Sequence, residues 1–247
     1  MGSLFEKWKK GLKKKVHPFC TAIVPAAGKS SRMGGEDKMF APLCGVPVLA
    51  RTLTVLDQAV LVDEIVVAAQ PEKLEEVAAL VSSAGIRKPV RVVEGGASRA
   101  ESVLLAALEA NEDVEYLAVH DGARPLVLPE HVDDLIRLGQ RTYAVAPAVP
   151  VTDTVKVADL SGLVLSTPDR STLFAVQTPQ VFQANLLKAA LQSAIAAEAP
   201  LTDDCSAVER LGKEVYLTPG WRENIKITTP EDLSVAELFL RRREVQA

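Results

Sequence analysis

Residues 22–40, AIVPAAGKSSRMGGEDKMF, decide the fold and the position of the candidate site. The apolar run that ends at Val24 is typical of a strand buried in a parallel sheet. Pro25 has no backbone N–H and ends the strand pairing. Small residues, a glycine and several cations follow. Such a loop can bind a polyphosphate, because its backbone N–H groups approach the ligand closely and fixed positive charges face it.

Two well-known phosphate-binding motifs do not fit this loop. A Walker A loop that ends at Gly28 and Lys29 requires a glycine where Ile23 stands. The dinucleotide fingerprint requires glycines where Ser30 and Met33 stand. An ordinary strand-to-helix turn with surface cations remains the alternative interpretation of this stretch.

The composition of the 247-residue chain excludes several classes of protein. A hydrophobic fraction of 48% and a charged fraction of 24% are ordinary for a globular protein with a core. The net charge of −4 argues against a dedicated nucleic-acid binder. Cys20, Cys44 and Cys205 lack metal-ligand spacing and fit a reducing cytosol, so a cytoplasmic location is expected. No apolar run reaches the roughly 18 residues that cross a bilayer.

Residues 1–17 are predicted to be a basic N-terminal extension of a single domain at residues 18–247. Six of the 17 residues are lysines, and apolar residues recur among them near helical spacing. A helix here would be amphipathic and could contact a membrane surface or a partner. The alternative is a solvated, partly disordered extension. We assign the segment no catalytic role.

Predicted strands alternate with predicted helices along most of the chain. The strands are expected at 65–69, 90–93, 116–120, 143–148, 215–217 and 224–227, and the helices at 46–60, 71–84, 100–110, 129–139, 186–197 and 230–241. This alternation predicts an α/β fold with a single Rossmann-like, mostly parallel, twisted sheet and helices on both faces. Ligands of such sheets bind outside the carboxyl ends of the strands. The loops at 25–38, 94–102 and 121–125 are therefore expected to converge on one site.

Residues 151–175 interrupt the alternation. Apolar residues spaced by two flank Ser161 and Gly162, at 155 and 157 and again at 163 and 165. This pattern predicts a protruding two-stranded β-arm, and a surface hairpin without a role is the alternative.

Two stretches after predicted strands carry candidate chemistry. In GGASRAES, residues 95–102, glycines allow close backbone approach and Ser102 can form a hydrogen bond to a base or sugar. Ser98 and Glu101 also fit a helix capping box. In DGAR, residues 121–124, Asp121 is a natural Mg²⁺ ligand beside a phosphate loop. A turn aspartate paired with Arg124 is the alternative.

The loop resembles the signature of the sugar-nucleotidyltransferase superfamily, in particular that of the 2-C-methyl-D-erythritol 4-phosphate cytidylyltransferase family. The resemblance rests on AAG at 26–28, on Arg32-Met33 and on Lys38. The DGAR stretch and the segments VTDTVK, PDR, QTPQ, TDD and NIK follow in the family's order. The chain departs from the family at Ser30, where a second glycine is common, and at Asp37, where a proline usually precedes the lysine.

The resemblance implies an enzyme that transfers CMP from CTP to 2-C-methyl-D-erythritol 4-phosphate in the non-mevalonate isoprenoid pathway. It implies that Arg32 and Lys38 stabilise the transition state and the leaving pyrophosphate. Lys226 would contact the transferred phosphate, and Arg170 would hold the sugar phosphate. Mg²⁺ would bind at Asp121 and Glu223. The remaining substrate-binding residues implied are Pro25, Ala26, Ala27, Gly28, Gly96, Ser102, Gly122, Ala123, Arg124, Thr152, Thr178 and Thr202.

The resemblance also implies a homodimer in which the β-arm completes the partner's active site, and no nucleic-acid partner. Two alternatives remain open. One is a ribitol-5-phosphate cytidylyltransferase, an enzyme of similar architecture. The other is a nucleotide-binding regulatory protein without turnover, which the altered loop and the basic N-terminus suggest.

Overall fold

The architecture is a sheet between two layers of helices. The computed structural model describes residues 17–28, 33 and 37–246. The strands within these residues are β1 (Cys20–Pro25), β2 (Pro42–Leu43), β3 (Val46–Pro47), β4 (Glu64–Ala69), β5 (Val90–Glu94), β6 (Tyr116–Val119), β7 (Ala144–Pro150), β8 (Val157–Ala158), β9 (Val164–Ser166), β10 (Phe174–Val176), β11 (Gln180–Gln183) and β12 (Tyr216–Pro219). The helices are α1 (Val48–Gln58), α2 (Leu74–Ser83), α3 (Arg99–Leu108), α4 (Pro129–Thr142), α5 (Ala184–Ala196), α6 (Asp204–Arg210) and α7 (Pro230–Gln246), with 3₁₀ turns at Pro71–Lys73 and Arg170–Thr172.

The main sheet is mixed and has a core of parallel strands. The strand order is β10-β7-β11-β6-β1-β4-β5, and β12 pairs with β7. Neighbours from β6 to β5 are parallel, whereas β11 runs antiparallel to both β6 and β7. The predicted α/β fold with a mostly parallel sheet is thus confirmed.

Alternate residues of the central strands face different helix layers. In β1, Ala22 and Val24 belong to a core with α1, α2, α4 and α7, whereas Ile23 belongs to a core with α3, α5 and α6. All three side chains are fully buried. A strand covered on both faces is expected to be apolar throughout, as the sequence of β1 is.

Several predicted boundaries were wrong, and some elements were missed. The helix predicted at 46–60 begins only at Val48, because Pro47, which stands at its N-cap, lies in β3. The strand predicted at 224–227 is a loop: the N–H of Asn224 donates to the Trp221 carbonyl at 3.0 Å, as in a turn. Strands β2, β3, β10 and β11 and helix α6 were not predicted.

Residues 157–166 form a two-stranded antiparallel unit, here called the β-ribbon, in which β8 pairs with β9. Its side chains are exposed, and Leu160 at its turn is fully exposed. The expectation for residues 1–16 of the basic extension lies outside the described residues. No helix in the described ranges combines the length and the apolar composition that a bilayer crossing requires.

Candidate active site

The carboxyl ends of neighbouring parallel strands meet at one edge of the sheet, and the loops after β1, β5 and β6 enclose a cavity there. Its volume is about 590 Å³. The predicted site residues that line it are Pro25, Ala27, Gly28, Lys38, Gly96, Ser102, Asp121, Gly122, Ala123 and Lys226. The expected convergence of the three loops is therefore seen in the described part of the chain.

The start of the loop after β1 is held against its neighbours. The N–H of Ala26 donates to the Ala68 carbonyl at 2.7 Å, which extends the pairing of β1 with β4 past Pro25. The side-chain amide of Gln70 donates to the Ala27 carbonyl at 3.1 Å. Ala26 is buried and fixes the loop, while Ala27 and Gly28 reach the cavity.

The loop after β5 has glycines where side chains do not fit. A Cβ on Gly95 would lie 2.6 Å from the Ala27 Cβ, and one on Gly96 would lie 2.3 Å from the Glu101 Cβ. The predicted capping box between Ser98 and Glu101 is present at the start of α3. The N–H of Gly96 donates to the Ser102 hydroxyl at 3.1 Å, so Ser102 shapes the loop from beneath.

Asp121 follows β6 and is surrounded by three cations, Lys226, Arg99 and Arg124, here called the cation cluster. Its carboxylate lies 2.9 Å from Lys226 Nζ, 3.4 Å from Arg99 Nη2 and 3.5 Å from Arg124 Nε. Burial alone would raise the pKa of the Asp121 carboxyl, but these three cations hold it well below its ordinary value. Asp121 is therefore a carboxylate over the whole physiological pH range.

A hydrogen-bonded chain beneath Asp121 fixes its backbone. The N–H of Asp121 donates to the Thr178 hydroxyl at 3.0 Å, and that hydroxyl lies 3.0 Å from His120 Nδ1. His120 Nε2 lies 3.0 Å from the Arg124 carbonyl, which can only accept, so Nε2 carries the ring proton. Burial lowers the pKa of His120 to about 4, which keeps the ring neutral at pH 7.

Asn224 links the Asp121 loop to the segment that carries Lys226. The Asn224 side chain donates to the Thr178 carbonyl at 2.9 Å, and Arg124 Nη1 donates to the Asn224 carbonyl at 2.7 Å. The N–H of Ile227 donates to the Ala123 carbonyl at 2.8 Å. The segment wrongly predicted as a strand is thus a buried connection that places Lys226 against Asp121.

Asp37 forms the turn that presents Lys38 to the cavity. Its carboxylate accepts from the Met39 N–H at 3.0 Å, and its carbonyl accepts from the N–H groups of Phe40 and Ala41, each at 3.0 Å. The departure from the family's proline thus has a local role, because the Asp37 side chain caps this turn.

A second cavity of about 320 Å³ adjoins the first one. Arg99, Asp121 and Lys226 line both cavities. The residues that line the second cavity otherwise are Arg124, Val176, Thr178, Gln180, Thr202 and Asp203. Three predicted substrate-binding residues, Arg124, Thr178 and Thr202, thus line the second cavity and not the larger one.

Among the residues that the structure describes, two of the predicted site residues line neither cavity. Thr152 and Arg170 are exposed, and Arg170 Nη1 donates to the Thr152 carbonyl at 2.8 Å. They flank the β-ribbon in the chain. In a single chain the structure does not bring them to the cation cluster.

The two remaining predictions do not join the cluster either. Glu223 pairs with Arg243 at 2.9 Å and is absent from the described lining of both cavities, so it is not beside Asp121 there. Arg32 lies outside the described residues.

Arg99 and Asp204 were missed by the sequence analysis, although both lie in stretches that it quoted. Arg99 Nη1 is 2.8 Å from an Asp204 oxygen. Burial raises the pKa of Asp204 against the opposing effect of Arg99, while the two carboxylates raise the pKa of Arg99 despite its burial. The sequence signal was only an arginine between two capping residues, and its partner stands 105 positions later.

Comparison with known families and curated proteins gives a consistent result. The family model of 2-C-methyl-D-erythritol 4-phosphate cytidylyltransferase matches residues 20–242. A curated protein of that name from Caldanaerobacter subterraneus is 42% identical over 224 residues, which are 90% of this chain and 99% of that protein. One from Nocardia farcinica is 46% identical over 226 residues, with 90% and 94% covered.

Solved structures agree with the sequence relatives. The 4-diphosphocytidyl-2C-methyl-D-erythritol synthase of Anaerococcus prevotii aligns with a TM-score of 0.78 at 29% identity, covering 91% of this chain and 99% of that one. The Thermus thermophilus 2-C-methyl-D-erythritol 4-phosphate cytidylyltransferase aligns with a TM-score of 0.73 at 30% identity, covering 90% and 99%. The chain belongs to the 2-C-methyl-D-erythritol 4-phosphate cytidylyltransferase family.

Proposed function

We propose that this protein transfers CMP from CTP to 2-C-methyl-D-erythritol 4-phosphate, giving 4-diphosphocytidyl-2-C-methyl-D-erythritol and pyrophosphate. The observation that carries the proposal is the position of Asp121 and Lys226, 2.9 Å apart, where the two cavities meet. Family membership supports both this reaction and the place of the reaction in the non-mevalonate isoprenoid pathway. We assign the activity to a domain at residues 18–247, in the cytoplasm.

The larger cavity is the proposed CTP site. Its glycine-rich wall, with Gly96 and Ser102, offers backbone polar groups that can distinguish the amino and carbonyl groups of cytosine. The segment from Pro25 to Gly28 also lines the cavity and offers backbone groups to the triphosphate. Lys38 and Lys226 line the same cavity and supply positive charge.

The smaller cavity is the proposed acceptor site. Arg124, Thr178 and Thr202 line it and can bind the acceptor's phosphate and hydroxyl groups. Thr152 and Arg170 would join them only from a second copy of the chain. This assignment supports a homodimer in which the β-ribbon contacts the partner subunit.

The proposed reaction is an in-line displacement at the α-phosphate of CTP. An oxygen of the acceptor's phosphate forms a bond to the α-phosphorus, and the bond from that phosphorus to the bridging oxygen of pyrophosphate breaks. A phosphate dianion is already nucleophilic at neutral pH, so no side chain needs to remove a proton. The protein's contribution is to bring two anions together and to stabilise charge with Lys38, Lys226 and Arg32.

The donor set at Asp121 fits Mg²⁺, which takes carboxylate oxygen together with substrate phosphates. Asp121 is ionised and lines both cavities, whereas Glu223 is held by Arg243. We therefore propose Asp121 as the main protein ligand and keep Glu223 only as an outer contact. When bound, the ion would neutralise phosphate charge and orient the triphosphate.

Pyrophosphate release with a panel of acceptors tests the proposal. We expect release with CTP and 2-C-methyl-D-erythritol 4-phosphate, and much less with UTP or ATP. Release with ribitol 5-phosphate alone would replace the proposed acceptor. Binding of CTP without release for any acceptor would instead favour a regulatory protein.

A further inference from the structure

Arg99 is shared unequally between two carboxylates. Its Nη1 lies 2.8 Å from an Asp204 oxygen, whereas its Nη2 and Nε each lie 3.4 Å from Asp121 Oδ1. The contact with Asp204 is an ion pair outside hydrogen-bond geometry, whereas the two contacts with Asp121 are long hydrogen bonds. The coulombic attraction of Asp204 for Arg99 is nonetheless the larger one, because attraction between charges grows as their distance shortens. Asp204 therefore holds the guanidinium more tightly than Asp121 does.

Asp204 is placed to act through Arg99 rather than on a ligand. Only 1% of its side chain is exposed, against 31% for Arg99. Arg99 lines both proposed substrate cavities, whereas Asp204 lines neither of these two. Asp204 does line a third cavity, of about 330 Å³, together with Arg99 and Thr202. The two residues begin different helices, α3 and α6, so the pair also ties the glycine-rich loop to the Thr202 segment.

The cations around Asp121 make this sharing important. Lys226 and Arg124 already contact the Asp121 carboxylate. A guanidinium has five donors in a planar fork and readily forms a two-point contact with a carboxylate. Arg99 already contacts Asp121 Oδ1 at 3.4 Å, while Lys226 and Arg124 contact Oδ2. Without a competing partner, Arg99 would shorten its contact with Oδ1.

We propose that Asp204 is a positioning residue for the transfer reaction, which holds Arg99 back and thereby keeps the Asp121 carboxylate accessible where the two cavities meet. Arg99 is then fixed at the junction, with donors directed to the phosphates that bind there. The proposal rests on the proposed function, since it concerns the same reaction.

The first test is Asp204→Asn, which keeps the shape of the side chain and removes its charge. We expect turnover to fall by about 10- to 100-fold, the range seen when a group that orients a ligating residue is removed. Asp134→Asn is the matched control, because Asp134 forms an exposed ion pair with Arg137 on α4, and its turnover is expected to be unchanged. Turnover of Asp204→Asn within twofold of the wild type would overturn the proposal.

A double-mutant cycle separates positioning from general structural damage. If Asp204 acts through Arg99, then Asp204→Asn has no further effect on turnover in an Arg99→Met background. Equal losses from Asp204→Asn in both backgrounds would indicate a structural effect and overturn the proposal. If Asp204→Asn does not fold, Asp204→Ser takes its place in the same cycle and is judged by the same two outcomes.

The wild-type assay distinguishes this inference from the proposed function. A wild-type chain that releases no pyrophosphate contradicts the proposed function and the inference with it. An active wild type with an equally active Asp204→Asn variant contradicts the inference alone.

Discussion

The larger cavity, which is the proposed CTP site, and the β-ribbon differ in how much of their surroundings a single chain supplies. The cavity is formed by the loops after β1, β5 and β6. The residues of β6 and most of those of β1 are buried, and β5 is a partly exposed edge strand. The β-ribbon is exposed along its length, and the guanidinium of the nearby, exposed Arg170 donates to the Thr152 carbonyl at 2.8 Å. The core of a single chain thus fixes the larger cavity, whereas nothing in the described part of a single chain covers the β-ribbon, which is the part that we propose to contact a second subunit.

The cations of the larger cavity are the most sensitive test of the proposed CTP site. Lys38→Ala is expected to lower turnover by about 100-fold or more, the scale of losing one preorganised donor to developing charge. Steady-state pyrophosphate release measures this. The exposed Lys213→Ala is the control and should leave turnover unchanged. Near-normal turnover in Lys38→Ala would contradict its assigned role.

Arg32→Ala extends the same test to the part of the loop outside the described residues. A loss of similar size, about 100-fold, is expected, because the same leaving group would lose a cation. A loss below tenfold would leave Lys38 as the principal cation of the loop.

The β-ribbon tests the proposed contact with a second subunit. Leu163→Asp together with Leu165→Asp should convert a dimer into a monomer, since both exposed apolar side chains are proposed to pack on the partner. Turnover should then fall by about tenfold, equivalent to about 1.4 kcal/mol of transition-state stabilisation.

Sedimentation and turnover of the β-ribbon variant are compared with those of Val60→Asp. Val60 is exposed and lies far from the β-ribbon in the chain, at the turn after α1. A wild-type monomer, or a monomeric double variant with full turnover, would show that the β-ribbon does not complete a site.

The glycine-rich loop after β5 provides a test of the proposed cytosine site. Gly96→Ala would place a methyl group 2.3 Å from the Glu101 Cβ, so the loop must move. The KM for CTP should rise by about tenfold, with a smaller effect on the acceptor's KM, because one or two contacts to the base weaken. Gly212 has a φ of +67° and lines neither cavity, so Gly212→Ala introduces backbone strain away from the site and controls for lost stability. Equal KM values for CTP in the two variants would contradict the base site.

The smallest expected effect concerns the buried support beneath Asp121. The pKa of His120 is about 4 in the folded protein and 6.5 ordinarily, so the unfolded chain takes up the proton first as the pH falls. The free energy of unfolding is therefore undiminished above pH 6.5 and declines between pH 6.5 and 4. This one group should cost about 1 kcal/mol between pH 7.5 and 5.5.

Denaturant unfolding at the two pH values measures that loss. His120→Asn should be less stable overall, because two hydrogen bonds weaken, but its loss between pH 7.5 and 5.5 should be smaller by about 1 kcal/mol. An identical loss in both proteins would show that His120 does not titrate as its burial implies.

The sequence predicted the larger cavity, which the core fixes, better than the exposed β-ribbon. Runs such as Ile65–Ala69 identify buried parallel strands, and strand ends identify where loops converge. Strand β11, Gln180–Gln183, was missed because two of its four residues are glutamines and it follows Pro179 directly. The strand predicted at 224–227 was wrong because Ile227 is buried and Ile225 is partly buried in a loop, and alternation alone does not distinguish such a loop from a paired strand.

Long-range charge contacts in the candidate site were the hardest to predict. Asp121, Lys226 and Arg124 could be named from their segments, but not the 2.9 Å contact between Asp121 and Lys226. The Arg99–Asp204 pair depends on two helices meeting in the fold, which no local pattern reports. Such contacts are set by tertiary packing rather than by propensity.

A crystal structure with CTP and Mg²⁺ bound would locate the nucleotide. We expect the triphosphate between Gly28, Lys38 and Lys226, with the cytosine against Gly96 and Ser102. A nucleotide bound elsewhere, with this cavity filled only by water, would contradict the proposed CTP site.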